Sequence, residues 1–231
     1  MDSKDVRRRW AERSGEFSPE YYAHRGPDKT SEAIGELLDR HLDRETPILE
    51  VGCSSGRHLA YLQESGFRSL AGIEVNAEAI AVMEETYPDL AAAATVHVEA
   101  IENVLGEFAD DHFGAVYSVE TLQHVHPDSE WIFAELARVT EELLVTVENE
   151  HWEGAAGETA NDDGANGERA TDDRNGQDDR GYDVDYVDEG VPIYYRSWGQ
   201  VFADLGLIEI ECQSGPRDTL RAFRPAAERE N

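Results

Sequence analysis

Apolar and polar positions change rhythm several times between residues 47 and 149, and each rhythm predicts an element. "PILEVG" is a nearly continuous apolar run, the pattern of a strand buried on both faces. "GRHLAYLQESG" then sets Leu59 and Leu62 at helical spacing, with Gly66 as a stop. "SLAGIEV" reads as a second strand. "NAEAIAVMEETYP" opens on Asn76, a capping residue type, carries Ile80, Met83 and Tyr87 at helical spacing, and ends before Pro88. "TVHVEA", "FGAVYSVE" and "ELLVTVEN" give three more strands, with "DSEWIFAELARVT" as a helix between the last two, its Trp131 expected in the core. Strict alternation of strand and helix predicts an α/β fold: an open, mostly parallel sheet with helices on both faces. Further on, "RSWGQVFADLGL" predicts a helix capped by Ser197, with Trp198 inward, and "IEIECQS" and "DTLRAFRP" are two closing strands separated by Gly215 and Pro216.

The rhythm fails over residues 153–181, where nine acids and three arginines are accompanied by no apolar residue except Ala. Such a stretch cannot bury enough surface to offset its ordering entropy, so a disordered acidic insert is expected. It interrupts one domain, 31–224, after the fifth strand, and 225–231 is a C-terminal tail. Residues 1–30 form an N-terminal arm containing Trp10, Phe17, Tyr21, Tyr22 and Arg25, ahead of an amphipathic helix over about 31–42. The arm is expected either to pack over the sheet edge or to act as a lid over a ligand site.

Composition narrows the partners. Against 50 Asp and Glu stand 20 Lys and Arg, a formal charge of −30, and Lys4 and Lys29 are the only lysines. That field repels phosphate backbones and anionic lipid, so neither nucleic acid nor a membrane is an expected partner. Acidic excess with almost no Lys resembles proteins of salt-loving organisms. No apolar run has the length of a membrane span, the arginines of the first ten residues have no apolar segment behind them, and Cys53 and Cys212 make no disulfide framework; a cytoplasmic location is expected.

The turn after the first strand, "EVGCSSG", carries Gly52 and Gly56 ahead of a helix start, an arrangement that lets a ligand approach the backbone. A dinucleotide fingerprint would need Gly where Ser54 stands, and no Gly-Lys-Ser/Thr follows for a phosphate loop. Glu74 ends the second strand, about twenty residues on, where a carboxylate can take hydrogen bonds from ribose hydroxyls. Together, "ILEVGCSSGRHLAYL…GIEVN" resembles the first two motifs of class I S-adenosylmethionine-dependent methyltransferases, and later elements follow that family's order to about residue 224. The resemblance implies a Rossmann-like sheet whose terminal hairpin adds an antiparallel strand, and S-adenosyl-L-methionine as cofactor. It implies that Glu50, Gly52, Cys53 and Gly56 shape the methionine end of the pocket. Glu74 and Val75 then meet the ribose, Glu99 and Ala100 the adenine.

The fourth strand ends in "YSVETLQHVHPD", which the resemblance makes the floor beneath the transferring methyl. Tyr117 and Ser118 are candidates there, with Glu120 and His124 as catalytic candidates, His124 as a base for a hydroxyl or amine acceptor. The Asp/Asn-Pro-Pro-aromatic signature of amide and base N-methylation is missing from "SVET", which favours a small-molecule acceptor. "HVHPDS" partly matches a metal-binding run but lacks its last His, with only His151 downstream, so no metal is expected. The connection holding Tyr194 and Tyr195 either roofs the acceptor pocket or packs on an edge. A nicotinamide-dependent oxidoreductase and a non-catalytic binding module of the same fold are the rival readings; the oligomeric state stays open.

Overall fold

The computed structural model describes residues 1–13, 18–150, 176–177, 183–187 and 190–226. Three helices come first: α1 (Ser3–Ala11), α2 (Pro19–Arg25) and α3 (Lys29–His41). The alternating body follows as β1 (Ile48–Val51), α4 (Arg57–Glu64), β2 (Leu70–Glu74), α5 (Ala77–Thr86), α6 (Pro88–Ala93), β3 (Thr95–Val98), α7 (Ile101–Val104), β4 (Phe113–Val119), α8 (Trp131–Val139) and β5 (Thr140–Asn149). After it come β6 (Gly176–Gln177), β7 (Asp183–Val187), β8 (Val191–Tyr194), α9 (Trp198–Asp204), β9 (Leu207–Ser214) and β10 (Asp218–Pro225).

Seven strands form one sheet in the order β3-β2-β1-β4-β5-β10-β9. The chain starts in the middle at β1, winds outward through β2 and β3, then returns to β4 on the other side of β1. That reversal opens a crevice beyond the carboxyl ends of β1 and β4, where ligands bind in open α/β sheets. β10 runs antiparallel to both β5 and β9, so it is the one reversed strand in this sheet.

Alternation along the central strands splits the core into two layers. Ile48, Leu143 and Val145 pack on one face with Leu38, Leu59, Leu62 and Met83 from α3, α4 and α5. Leu49, Val51 and Leu144 face the other way, onto Ile132, Phe133 and Leu136 of α8 and Trp198 and Phe202 of α9. Each fully buried Leu, Ile or Phe contributes roughly 1.5–3 kcal/mol over its exposed state, so these layers fix the sheet. Asn76 caps α5 by accepting the Glu78 N–H at 3.0 Å, as its residue type predicts.

Several expectations need correction. Trp131 is 49% exposed rather than core, because α8 turns Ile132, Phe133 and Leu136 inward instead. Ser197 precedes α9 without a capping hydrogen bond; the Trp198 N–H goes to Glu150 Oε1 at 3.1 Å. The acidic insert and His151 lie outside the described residues, apart from Gly176–Gln177, which pair antiparallel with β7. A second sheet, β6-β7-β8, was not anticipated. Phe17 also lies outside the described residues.

Candidate functional site

The turn after β1 is held by the neighbouring strand. Gly52 and Cys53 both donate their N–H to the Ile73 carbonyl, at 2.9 and 3.1 Å. Gly52 (φ 74°) lies so close to Thr121, in the loop after β4, that a Cβ there would collide with its hydroxyl. Ser54, where a dinucleotide turn has Gly, still takes a left-handed backbone at φ 47°. Gly56 caps α4 and lets it pack against Met83 and Leu90; it does not line the cavity.

Glu74 closes the turn from the second strand. Its Oε2 accepts the Ser54 N–H at 2.8 Å and its Oε1 the Asn76 N–H at 2.8 Å. Burial pushes this carboxyl above its ordinary range despite those donors. Each oxygen keeps a second lone pair, and the side chain lies on the wall of a cavity of about 170 Å³. Gly52, Cys53, Val75 and Ala100 line the same cavity. Glu99 does not: it is exposed, and accepts from Ala100 N–H and Asn103 Nδ2 at 3.0 Å each. The acid on that wall is Glu102, paired with Arg7 of α1 at 2.8 Å. Glu99 precedes the Ala100 cap of α7 while Glu102 lies on the helix, a distinction that spacing alone does not make.

Two buried carboxyls stand beneath the cleft. Glu50 is 1% exposed, accepts the Tyr117 hydroxyl at 3.0 Å, and is pushed up to about 8 by burial, so it is mainly protonated at neutral pH. Glu148, at the end of β5, is fully buried and accepts from Ser118 Oγ (2.6 Å), Thr121 N (3.2 Å), Leu122 N (3.0 Å) and Gln123 N (3.2 Å). Burial raises it to about 7. Tyr117 and Ser118 therefore point away from the cavity and serve these carboxyls. Glu148 is not among the site residues expected from the sequence; an acid inside the apolar run "ELLVTVEN" is the signal that points to it.

The loop that Glu148 holds presents Glu120 and His124 to the cavity. Glu120 has φ 46°, lies 3.8 Å from Arg217 and is hydrogen-bonded to Asp218, which burial raises to about 7. His124 Nδ1 donates to the Pro192 carbonyl at 2.8 Å, leaving the Nε2 lone pair beside Gln123 Nε2 at 3.4 Å. Burial lowers His124 to about 4, so the ring is neutral at physiological pH. His126 donates from Nε2 to the Met1 carbonyl at 3.1 Å and accepts the Asp128 N–H at Nδ1 at 3.1 Å. Each of the two rings thus answers to its own backbone partners. Tyr194 packs edge-on against His126 and, like Tyr195, does not line the cavity.

The N-terminal arm contributes to the lining of the cleft. Val6, Trp10, Arg13 and Tyr22 line it, and the Trp10 and His124 rings lie 4.7 Å apart. Among the described residues no helix is long and apolar enough to cross a membrane.

The comparisons agree with this geometry. A family model described as a methyltransferase domain matches residues 49–142. An O-methyltransferase of Penicillium expansum is 27% identical over 125 residues, 52% of this chain and 45% of its own length. The dTDP-3-amino-3,6-dideoxy-alpha-D-glucopyranose N,N-dimethyltransferase of Streptomyces fradiae is 32% identical over 84 residues, 34% of this chain and 32% of its own. The chain thus matches less than half the length of these two relatives. Magnesium protoporphyrin IX methyltransferase of Synechocystis, solved with bound SAH, superposes with a TM-score of 0.63 at 11% identity, over 97% of this chain and 100% of that one. The 1,6-didemethyltoxoflavin-N1-methyltransferase of Burkholderia thailandensis, solved with S-adenosylhomocysteine, gives 0.58 at 13% identity, over 84% and 77%. The fold is the Rossmann-like fold of S-adenosylmethionine-dependent methyltransferases.

Proposed function

We propose that this chain is a methyltransferase that moves a methyl group from S-adenosyl-L-methionine to a small-molecule acceptor. The observation that carries this reading is Glu74, at the cavity wall with Ser54 and Asn76 N–H groups on its two oxygens. A carboxylate so fixed has lone pairs left for two vicinal hydroxyls, which suits a ribose. Ala100 and the adjoining Ile101 offer an apolar wall for a base, while Glu50, Gly52 and Cys53 border the remaining end. The donor supplies an electrophilic methyl carbon; the residues here bind, orient and exclude water. In this reading the acceptor lies beside Glu120 and His124. The neutral His124 ring, lowered to about 4, serves better as a hydrogen-bond acceptor that orients a hydroxyl or amine than as a strong base.

A formal charge of −30 supports an acceptor other than nucleic acid, and with the scarcity of Lys it supports a cytoplasm of high salt as the working environment. The domain limits proposed are 31–224 for the transferase unit, with 1–30 as its lid. Calorimetry with S-adenosylhomocysteine and with NAD tests the reading. Binding of the first and not the second is expected; the reverse overturns it. Formation of S-adenosylhomocysteine over a metabolite panel in multimolar KCl then distinguishes an enzyme from a binding module.

A further inference from the structure

Glu120 and Asp218 are brought together across β5. The Glu120 N–H donates to the Val147 carbonyl at 2.8 Å, and Asp218, at the start of β10, stands opposite Asn149. The two carboxyls are hydrogen-bonded to each other, and Asn149 Nδ2 donates to Asp218 Oδ1 at 2.8 Å. A hydrogen bond between two carboxyls needs a proton between their oxygens, so the pair holds one proton and one negative charge. Burial first, and then the Glu120 charge, raises Asp218 to about 7, so near neutral pH that proton is readily taken up and given off. Glu120 lines the cavity at its left-handed φ of 46°, whereas Asp218 does not line it and is partly open to solvent. Around the pair stand the largely exposed Arg217 guanidinium, 3.8 Å from Glu120, and the Asn149 amide. The Tyr22 phenol of α2 is kept protonated by burial and by the Glu120 charge, and the His124 ring is neutral. The Trp10 indole Nε1 on the same wall is buried with no partner, an independent sign that a ligand completes this space.

We propose that the methyl acceptor is an amine and that the Glu120–Asp218 carboxyl pair receives its proton. The proposal rests on the methyltransferase reading of the same cavity and names the acceptor's class. Glu74, Glu102 and Glu120 border the space, while Arg7 pairs with Glu102 at 2.8 Å, Arg57 pairs with Asp28 at 2.6 Å, and Arg13 lies over the Trp10 ring. A phenolate or carboxylate acceptor would meet like charge there. An aliphatic alcohol holds its proton far too tightly for a carboxyl pair to remove it. An alkylammonium is attracted by the pair, and its nitrogen must lose one proton before it reacts. That proton passes to the Glu120 side of the pair and leaves to solvent through Asp218. The freed nitrogen lone pair forms the new N–C bond to the donor's methyl carbon as the C–S bond breaks, its electron pair staying on sulfur. The product is the methylated ammonium, and one proton is released per turnover. Glu120 touches the acceptor in this account; Asp218 acts through it as a positioning residue.

The test uses wild type, Glu120→Gln and Asp218→Asn. Carbon-13 NMR of the side-chain carboxyls follows the titration of the ligand-free protein. Two linked steps are expected for the pair, the upper near 7, and Asp218→Asn should remove the upper one. A purely structural contact would not give that signature. Calorimetry compares n-butylamine, 1-butanol and butyrate, each with saturating S-adenosylhomocysteine and without it. Wild type should bind the amine about tenfold tighter than the other two, and Glu120→Gln should abolish that preference. Absence of a step near 7 overturns the pair. Equal binding of the three probes, preference for butanol or butyrate, or binding of none overturns the amine. The wild-type arms decide both points even where a variant unfolds. Failure of wild type to bind S-adenosylhomocysteine defeats the adenosyl reading, while the carboxyl titration, read without it, still decides the pair.

Discussion

The carboxylate of Glu74 reaches back from the end of β2 to accept the Ser54 N–H at 2.8 Å, inside the turn that follows β1. Its other oxygen takes the Asn76 N–H at 2.8 Å, just ahead of α5. One side chain therefore fixes both the turn and the entry to the next helix, and Ser54 keeps its left-handed backbone under that restraint.

Glu74→Ala should weaken S-adenosylhomocysteine by one to two orders of magnitude, about 1.4–2.8 kcal/mol, because the paired hydroxyl contacts are lost. It should also lower stability by roughly 1–3 kcal/mol, since two backbone donors lose their acceptor. Calorimetry and urea unfolding read the two effects separately. Unchanged affinity would remove Glu74 from the ligand site.

Glu148→Ala should be the more damaging change to folding. Four donors converge on that carboxyl, and its loss should cost roughly 3–5 kcal/mol, against about 1 kcal/mol for Ser118→Ala. Equal midpoints in urea for the two variants would contradict the arrangement.

Gly52→Ala adds a methyl where Thr121 stands and imposes a side chain at φ 74°. A loss of about 2–4 kcal/mol is expected. Thr121→Ala in the same molecule should recover part of it, giving a non-additive cycle. Additive unfolding energies would show that the two residues do not touch.

Stability should be flat over about pH 4.5–6.5 and fall on both sides. Glu50 and Glu148 are raised from 4.5 to about 8 and about 7, so the fold binds their protons more tightly than the unfolded chain does. Their contribution is complete below 4.5 and is lost as pH climbs through those values. His58 and His124 are lowered from 6.5 to about 3 and about 4. Theirs is complete above 6.5 and is lost as pH drops through the folded values. Melting temperature against pH checks this; Glu50→Gln should flatten the alkaline limb, and an unaltered limb would count against the buried, protonated Glu50.

Raising KCl from about 0.1 to 2 M should raise the melting temperature, because a formal charge of −30 repels itself less when the screening length shrinks from about 10 Å to a few. A melting temperature that falls with salt would speak against charge repulsion as a main destabilising force.

The sheet's central strands were legible because burial on both faces leaves a continuous apolar run, and their helices because one face must stay dry. The glycine turn and the place of Glu74 at the end of β2 were legible for a related reason: a tight turn with positive φ restricts residue type at fixed spacing. Asn76 as a cap needs only its own neighbours in the chain. These features depend on periodicity and local geometry, which the amino-acid order carries by itself.

What required the tertiary structure are contacts between segments far apart in sequence. Glu148 meets Thr121 only after β5 lies beside β4, and the Pro192 carbonyl sets the His124 tautomer from a separate small sheet. Glu99 lies in the connection ahead of α7 and Glu102 on α7 itself, and only the packing of that helix brings the second to the cavity while the first stays in solvent. Trp10 and Arg13 belong to an arm whose pattern fits either an edge or a roof. The packing of Trp10 against His124 joins segments far apart in the chain, and such long-range burial has no signature in the order of residues alone.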